Sequence, residues 1–290
     1  MDNQYCLALL NKGIADKGFS IAKIKAFTDV TQLEASGGSQ HKLLFKITSP
    51  SQFDELNQNL QRLSKKYSID CILKPWVDKD VKPGLIIMDM DSTLVQAETI
   101  DEIARVVGVG DKVAQITEAA MRGELDFTES LIARVSMLKG MPLELLEQVH
   151  ASLPLTAGAE MLLKNAKKNS CHTALVSGGF TLFAGPIAEK LGFDTLSANT
   201  LEIVNNKLTG RVIGKIVDGE SKLKTLQHLQ KKLSLNTKQI VAIGDGANDL
   251  PMLGAAGTGF AFHAKPKVQE QAKSILNFNT LDGVSWYLNW

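Results

Sequence analysis

The sequence is short of cysteine, of net charge and of long apolar runs, and each shortage removes a class of protein. Cys6, Cys71 and Cys171 are odd in number and far apart, so they read as reduced packing residues, not as a disulfide framework or a zinc site. Lys and Arg number 32 against 31 Asp and Glu, a net charge of +1. That leaves no global field to attract nucleic acid or an anionic membrane, so an anionic ligand must be held by local groups. No stretch approaches the roughly 18 apolar residues of a membrane helix. The opening Met1-Asp2-Asn3-Gln4 carries an acid where a secretory signal carries bases, and the apolar stretch Tyr5 to Leu10 is too short for a signal core. A cytoplasmic location is therefore expected. Repeats and low-complexity tracts are also missing, and His41, His150, His172, His228 and His263 show no catalytic spacing.

What is present is an ordinary globular composition, 44% hydrophobic and 22% charged over 290 residues, a length that favours two domains. The first part alternates element signals. Tyr5 to Lys17 reads as a helix, Ile21 to Phe27 as a strand, and Gly37-Gly38-Ser39 as a turn before a strand at Leu43 to Ile47. Ser51 opens an amphipathic helix through Leu56, Leu60 and Leu63, and Asp70 to Leu73 forms a short strand. This order resembles the small ferredoxin-like ACT domain with its first strand missing. The polar run Val77 to Gly84 reads as a linker, which divides the chain into an ACT-like α+β unit at 1–80 and a second unit at 81–290.

Beyond the linker, Leu85-Ile86-Ile87-Met88, Thr173-Ala174-Leu175-Val176 and Ile240-Val241-Ala242-Ile243 are short unalternated apolar runs. These suit parallel strands buried on both faces, each followed by a loop and a helix, and predict an α/β, doubly wound parallel sheet. Ligands in such sheets sit beyond the carboxyl ends of the strands. About 80 residues between the first two runs are helical in pattern, with a capping signal at Asp126-Phe127-Thr128-Glu129. They predict a helical cap inserted at about 95–168. Leu201 to Val204 and Leu208 to Val212 flank Asn205-Asn206-Lys207 as a hairpin.

Chemistry-bearing residues come after each buried strand. Asp89-Met90-Asp91-Ser92-Thr93 ends the first with two acids that point the same way, a repulsion that a cation or a shared proton relieves. Few carboxylates beside phosphate oxygens and water suit Mg²⁺ better than calcium or zinc; aspartates that merely cap the next helix give the same pattern. Ser177-Gly178-Gly179-Phe180 lets backbone N–H groups approach an anion; a tight turn needs the same residues. Gly244-Asp245-Gly246-Ala247-Asn248-Asp249 places Asp245 to complete a metal site, with Asn248 and Asp249 to orient neighbours. Of Lys222 and Lys224, at a helix start after the hairpin, either is ordinarily solvated or supplies a point charge to a phosphoryl group.

Taken together in this order, these segments resemble the signature of the haloacid dehalogenase superfamily: an Asp-x-Asp-x-Thr motif, a later Ser, a Lys and a Gly-Asp-x-x-x-Asp motif. From Leu85 to about Phe262 the likeness narrows to the phosphoserine phosphatases. It is carried also by Leu94-Val95, Glu98 to Glu102, Met121 to Phe127, Arg134-Val135 and Leu138. The resemblance implies hydrolysis of O-phosphoserine to serine and phosphate, the last step of phosphorylated serine biosynthesis. It makes Asp89 the nucleophile that carries an aspartyl-phosphate and Asp91 the general acid and base. Mg²⁺ would be held by Asp89, the Asp91 carbonyl and Asp245, while Ser177, Gly178, Gly179 and Lys222 would contact the phosphoryl group, Asn248 the phosphate or a metal-bound water, and Asp249 would orient Lys222. In the cap, Glu98 is implied to meet the substrate ammonium and Arg134 its carboxylate, with Met121 and Phe127 as an apolar lid. The ACT-like reading raises two further expectations, serine binding at 1–80 and a homodimer. Two other functions share the motifs: a phosphatase of the same superfamily for another small phosphate, and a serine-sensing regulatory protein.

Overall fold

A computed structural model of the chain describes residues 3–12, 14, 21–25, 32–39, 41–49, 53–75, 78 and 80–290. The first unit contains β1 (Asn3–Leu10), α1 (Ile21–Lys25), β2 (Gln32–Ser39), β3 (Lys42–Ser49), α2 (Phe53–Tyr67) and β4 (Asp70–Pro75). Its antiparallel sheet has the order β2-β3-β1-β4. Three expectations fail here. Tyr5 to Leu10 is a central strand of this sheet, not a helix, and Ile21 to Lys25 is a helix, not a strand. Leucine and alanine, which fill most of Cys6 to Leu10, are good helix formers, but β1 is sandwiched. Leu7 and Leu9 face one apolar cluster with Leu56, Leu60 and Leu63, while Ala8 and Leu10 join the main core of the second unit. A run buried on both faces has no alternation, so it cannot be told from a buried helix by period. The strand missing from the expected ACT-like order is thus β1. Gly37, Gly38 and Ser39 extend β2 beyond a register shift between Ala35 and Gly37 instead of forming the turn. Ala26, Phe27 and Ser51, and Val77 and Lys79 of the linker, lie outside the described residues.

The second unit begins with β5 (Leu85–Met88), followed by five helices: α3 (Thr99–Val106), α4 (Gly110–Met121), α5 (Phe127–Ser136), α6 (Leu143–Ser152) and α7 (Ala159–Lys168). Then come β6 (His172–Phe180), α8 (Thr181–Leu191), β7 (Thr195–Val204), β8 (Lys207–Ile213), α9 (Gly219–Lys232), β9 (Ile240–Gly244), α10 (Leu250–Ala255), β10 (Thr258–Phe262), α11 (Pro266–Gln271), β11 (Ser274–Leu276) and α12 (Asp282–Tyr287). The seven strands are ordered β11-β10-β9-β5-β6-β7-β8, all parallel except the β7–β8 pair. Every residue of β5 is fully buried. Ile86 and Met88 face one core and Leu85 and Ile87 the other, as expected for a central parallel strand. The hairpin falls where expected, with Asn205 and Asn206 at φ of 50° and 58°, the left-handed pair a tight two-residue turn requires. The capping box at Asp126 and Glu129 forms and starts α5. No helix among the described residues is long and apolar enough to cross a membrane, and Cys6, Cys71 and Cys171 are all buried without a disulfide.

The two units meet at a polar junction that composition does not reveal. Asp70, fully buried at the start of β4, accepts hydrogen bonds from the backbone N–H of Asn277 at 2.7 Å, Phe278 at 3.2 Å and Asn279 at 3.1 Å. It also accepts one from the Asn279 side chain at 2.6 Å. The same amide donates to the Leu10 carbonyl at 3.0 Å. Lys42, likewise buried, donates to the Tyr287 carbonyl at 3.2 Å and to Asn289 Oδ1. Burial pushes the Asp70 carboxyl above its ordinary pKa, and these hydrogen bonds oppose the rise. Replacing Asp70 by Ala removes the acceptor of three backbone donors and of one N–H of the Asn279 amide. Asp70→Ala is expected to destabilise the protein by about 2–4 kcal/mol, measured by denaturant unfolding; a loss below about 0.5 kcal/mol would mean that water replaces the carboxylate.

Candidate active site

The carboxyl ends of β5, β6 and β9 converge. Asp89 continues the β5–β9 ladder, its N–H donating to the Ile243 carbonyl at 3.0 Å, and the residue is 6% exposed. Asp89 Oδ1 accepts the N–H of Met90 at 2.7 Å. Asp89 Oδ2 lies 2.6 Å from Lys222 Nζ, which is also 2.6 Å from Asp249 Oδ1. Of the two lysines at the start of α9, Lys222 is therefore the buried one and Lys224 the solvated one, paired with Glu220. Asp218 caps α9, its carboxylate accepting the Ser221 N–H at 2.8 Å, and this aims the first turn into the site. The second oxygen of Asp249 accepts the Gly246 N–H at 2.9 Å. Both oxygens of Asp249 are thus committed, one to Lys222 and one to the Gly246 N–H.

Asp91 sits on the other side. Its Oδ1 accepts the Thr99 N–H at 2.8 Å, at the start of α3, and its Oδ2 accepts from Ser177 Oγ at 3.3 Å. Ser177 Oγ in turn accepts the Gly179 N–H at 2.8 Å. The Ser177-Gly178-Gly179 segment is not a loop after β6 but a bulge within it: pairing with β7 jumps from Val176↔Ser197 to Phe180↔Asn199. A side chain on Gly179 would collide with Asp91, and a methyl on Gly178 would lie 2.8 Å from the Phe127 ring. Phe127, from the start of α5, is thus packed over the bulge. The side chain of Met121 lies outside the described residues.

Electrostatics single out the acids. Burial, reinforced by Asp249, pushes Asp245 up to about 7, against a hydrogen bond at 2.8 Å from Thr93 Oγ1. Burial and Asp249 also raise Asp89, against the pull of Lys222. Burial and then Glu98 push Asp91 up to about 6. Oxygens of Asp89, Asp245 and Asp249 lie within 4.8 Å of one another. One lysine shared among three carboxylates leaves surplus negative charge, the condition a divalent cation satisfies. This trio of side chains differs from the expected set of Asp89, Asp91 and Asp245, in which Asp91 serves through its backbone carbonyl. Thr93 holds Asp245, a role that its place at the end of the motif does not disclose.

The cap residues are less tightly held. Glu98 precedes α3, is exposed, and accepts from Ser92 Oγ at 2.8 Å. Arg134 on α5 is half-buried, with Nε donating to the Ser130 carbonyl at 3.3 Å. Burial lowers its pKa while Asp101, Glu98 and Asp91 raise it, so its guanidinium lies within the field of both Glu98 and Asp91. By residue type alone Asp101 does not stand out, because an acid in the first turn of a helix looks like ordinary helix-start chemistry. Asn248 packs beside Gly246, whose Cβ would strike its side-chain oxygen.

The raised carboxylates give a signed prediction for the metal-free protein. Asp245 titrates near 3.8 when unfolded and near 7 when folded. The native state thus holds a proton that the unfolded state has lost, and stability falls as pH rises from about 4 to 7. Melting temperature is expected to drop across that window without metal, and millimolar Mg²⁺ at a pH of about 7.5 is expected to raise it more than at about 4.5. A melting temperature indifferent to Mg²⁺ at the higher pH would remove the metal from this site.

The family model for haloacid dehalogenase-like hydrolases matches residues 86–254, more than half of the chain and all three strand ends. The phosphoserine phosphatase of Haemophilus influenzae is 51% identical over 198 residues, covering 68% of this chain and 63% of its own length; the match thus spans less than two thirds of that relative. A haloacid dehalogenase family hydrolase from Salmonella enterica serovar Typhi superposes with a TM-score of 0.86 at 31% identity, covering 99% of this chain and 98% of its own. A phosphoserine phosphatase solved as a phospho-aspartyl intermediate analogue gives a TM-score of 0.67 at 42% identity, over 71% of this chain and 99% of its own. With the motif residues gathered at the strand ends that the family model spans, this chain belongs to the haloacid dehalogenase-like hydrolases, in the group that contains the phosphoserine phosphatases.

Proposed function

We propose that this protein is a phosphoserine phosphatase, a phosphoric monoester hydrolase that converts O-phosphoserine to serine and phosphate. The observation that carries the reading is the joint placement of Asp89 and Asp91 on opposite sides of one site, the first on Lys222 and the second on Ser177 and α3. In the first step an oxygen of Asp89 attacks phosphorus, the bond to the serine oxygen breaks, and Asp91 gives that oxygen its proton. In the second step water attacks the aspartyl-phosphate, its proton passes to Asp91, and the bond to Asp89 breaks. An Asp91 pKa of about 6 suits a group that both gives and takes a proton near neutrality. Lys222, Ser177 and the Gly178 and Gly179 N–H groups steady the phosphoryl oxygens, and Asn248 borders them. Asp89, Asp245 and the Asp91 carbonyl would hold Mg²⁺, which neutralises charge on the transferring group.

Specificity is assigned to Glu98 and Arg134, an acid and a base able to read the two ends of a zwitterion, with Met121 and Phe127 excluding water. The helices from Thr99 to Ser152 support a cap within 95–168, since α7 packs on β6 and α12 instead. The β-α-β-β-α-β order and sheet order of the first unit support an ACT-like domain at 1–80, joined to the phosphatase at 81–290. Serine binding at that domain and a homodimer remain part of the proposal.

Asp89→Asn nearly conserves volume and should fold, yet lose essentially all turnover of O-phosphoserine; ordinary activity with no deamidation by mass spectrometry would rule out the aspartyl-phosphate. Arg134→Ala should lower kcat/KM for O-phosphoserine by tens to thousands of fold, from a loss on the order of 2–5 kcal/mol. Hydrolysis of a small aryl phosphate, which lacks the carboxylate, should change little. Equal losses on both substrates would assign Arg134 to cap structure and withdraw the zwitterion argument.

A further inference from the structure

Asn199 is 1% exposed and stands on β7 paired with Phe180, just past the bulge of β6 in which three residues, Ser177 to Gly179, face only Ala198. Its side-chain Nδ2 donates to the Gly178 carbonyl at 2.8 Å. Its Oδ1 accepts the Val217 N–H at 2.8 Å. Gly178 comes directly after Ser177, whose hydroxyl reaches Asp91. Val217 precedes Asp218, the cap of the helix that carries Lys222. One buried amide therefore spans the two segments that supply the phosphoryl-binding hydroxyl and the phosphoryl-binding ammonium, while touching neither group. The Val217 carbonyl also lies 3.6 Å from the place a Cβ on Gly178 would occupy, so the two segments are in direct apposition.

We infer that Asn199 is a positioning residue for phosphoryl transfer, fixing the Ser177-Gly178-Gly179 bulge against the first turn of α9. This rests on the site acting on a phosphoryl group, not on the identity of the ester. An amide is the side chain this place demands, because it must present a donor on one side and an acceptor on the other. A neutral carboxyl can imitate it, with O–H toward Gly178 and C=O toward Val217. An ionised carboxyl cannot, since it turns an acceptor toward the Gly178 carbonyl. A bulge has unpaired backbone groups and bends freely unless something holds it, and displacements of about 1 Å at such a distance from the chemistry cost on the order of a hundredfold in rate. The interactions with transferring oxygens tighten as charge shifts in the transition state, so the loss belongs in kcat more than in KM.

The test uses the full chain with Mg²⁺ and compares wild type, Asn199→Ala and Asn199→Asp on O-phosphoserine and on p-nitrophenyl phosphate, with melting temperatures alongside. Asn199→Ala is expected to lower kcat by about 10- to 100-fold on both esters while KM moves less than about threefold, at temperatures well below its unfolding. Asn199→Asp should show a similar loss in mildly alkaline buffer, and its kcat relative to wild type should recover as pH falls and the carboxyl becomes neutral. A merely structural role would lower the melting temperature and leave both the kcat ratio and its pH dependence flat, and that result would overturn the inference. If Asn199→Ala does not fold, the Asn199→Asp pH profile decides alone. Should wild type hydrolyse the aryl ester but not O-phosphoserine, the substrate assignment fails while the Asn199 comparison still stands on the aryl ester.

Discussion

Everything at the strand ends is arranged around one charge, the ammonium of Lys222, which has no exposure and two carboxylates at 2.6 Å. A lysine taken fully out of water is tolerated only when its partners are close and themselves fixed. That requirement propagates outward. Asp249 must be held, which the Gly246 N–H does; Gly244 and Gly246 must lack side chains, because any Cβ would strike Asp249 or Asn248. The first turn of α9 must point inward, which the Asp218 cap ensures. The lysine in turn balances only part of the acid around it, so without a metal Asp89 and Asp245 hold their protons more tightly than ordinary carboxyls, and a cation lets them ionise. Stability and metal affinity are coupled through the same four side chains.

The chemistry of this protein is legible in its sequence because buried parallel strands leave a plain mark, short unbroken apolar runs, and because the fold puts ligands beyond their carboxyl ends. Asp89, Asp91, Ser177 and Asp245, which the structure gathers at the strand ends, all stand just after such a run. The choice between Lys222 and Lys224 cannot be made from residue type, since both are lysines at a helix start. Depth decides it, and depth depends on which face of α9 meets the sheet. Asn199 leaves no mark: an isolated amide in a strand has no spacing to match, and its partners are backbone groups of segments distant in sequence.

The first eighty residues are harder to read for a physical reason. A strand packed between its own helices and the second unit has no polar face, so Tyr5 to Leu10 lacks the alternation that identifies strands. The same sandwiching makes Asp70 invisible. It looks like a polar residue at a strand edge, yet it is the acceptor for a whole turn of backbone in the other unit.

The Asp70 junction also imposes an order of events during synthesis. Asp70 and the N–H of Asn277 are separated by 207 positions. The first sheet can pair its strands as it leaves the ribosome, but the face carrying Ala8, Leu10 and Ile72 cannot be covered until the segment around Asn277 has emerged. At about 5–20 residues per second, that face stays open for roughly ten seconds or more. For that interval, a nascent chain holds an apolar sheet surface and a bare carboxylate beside it.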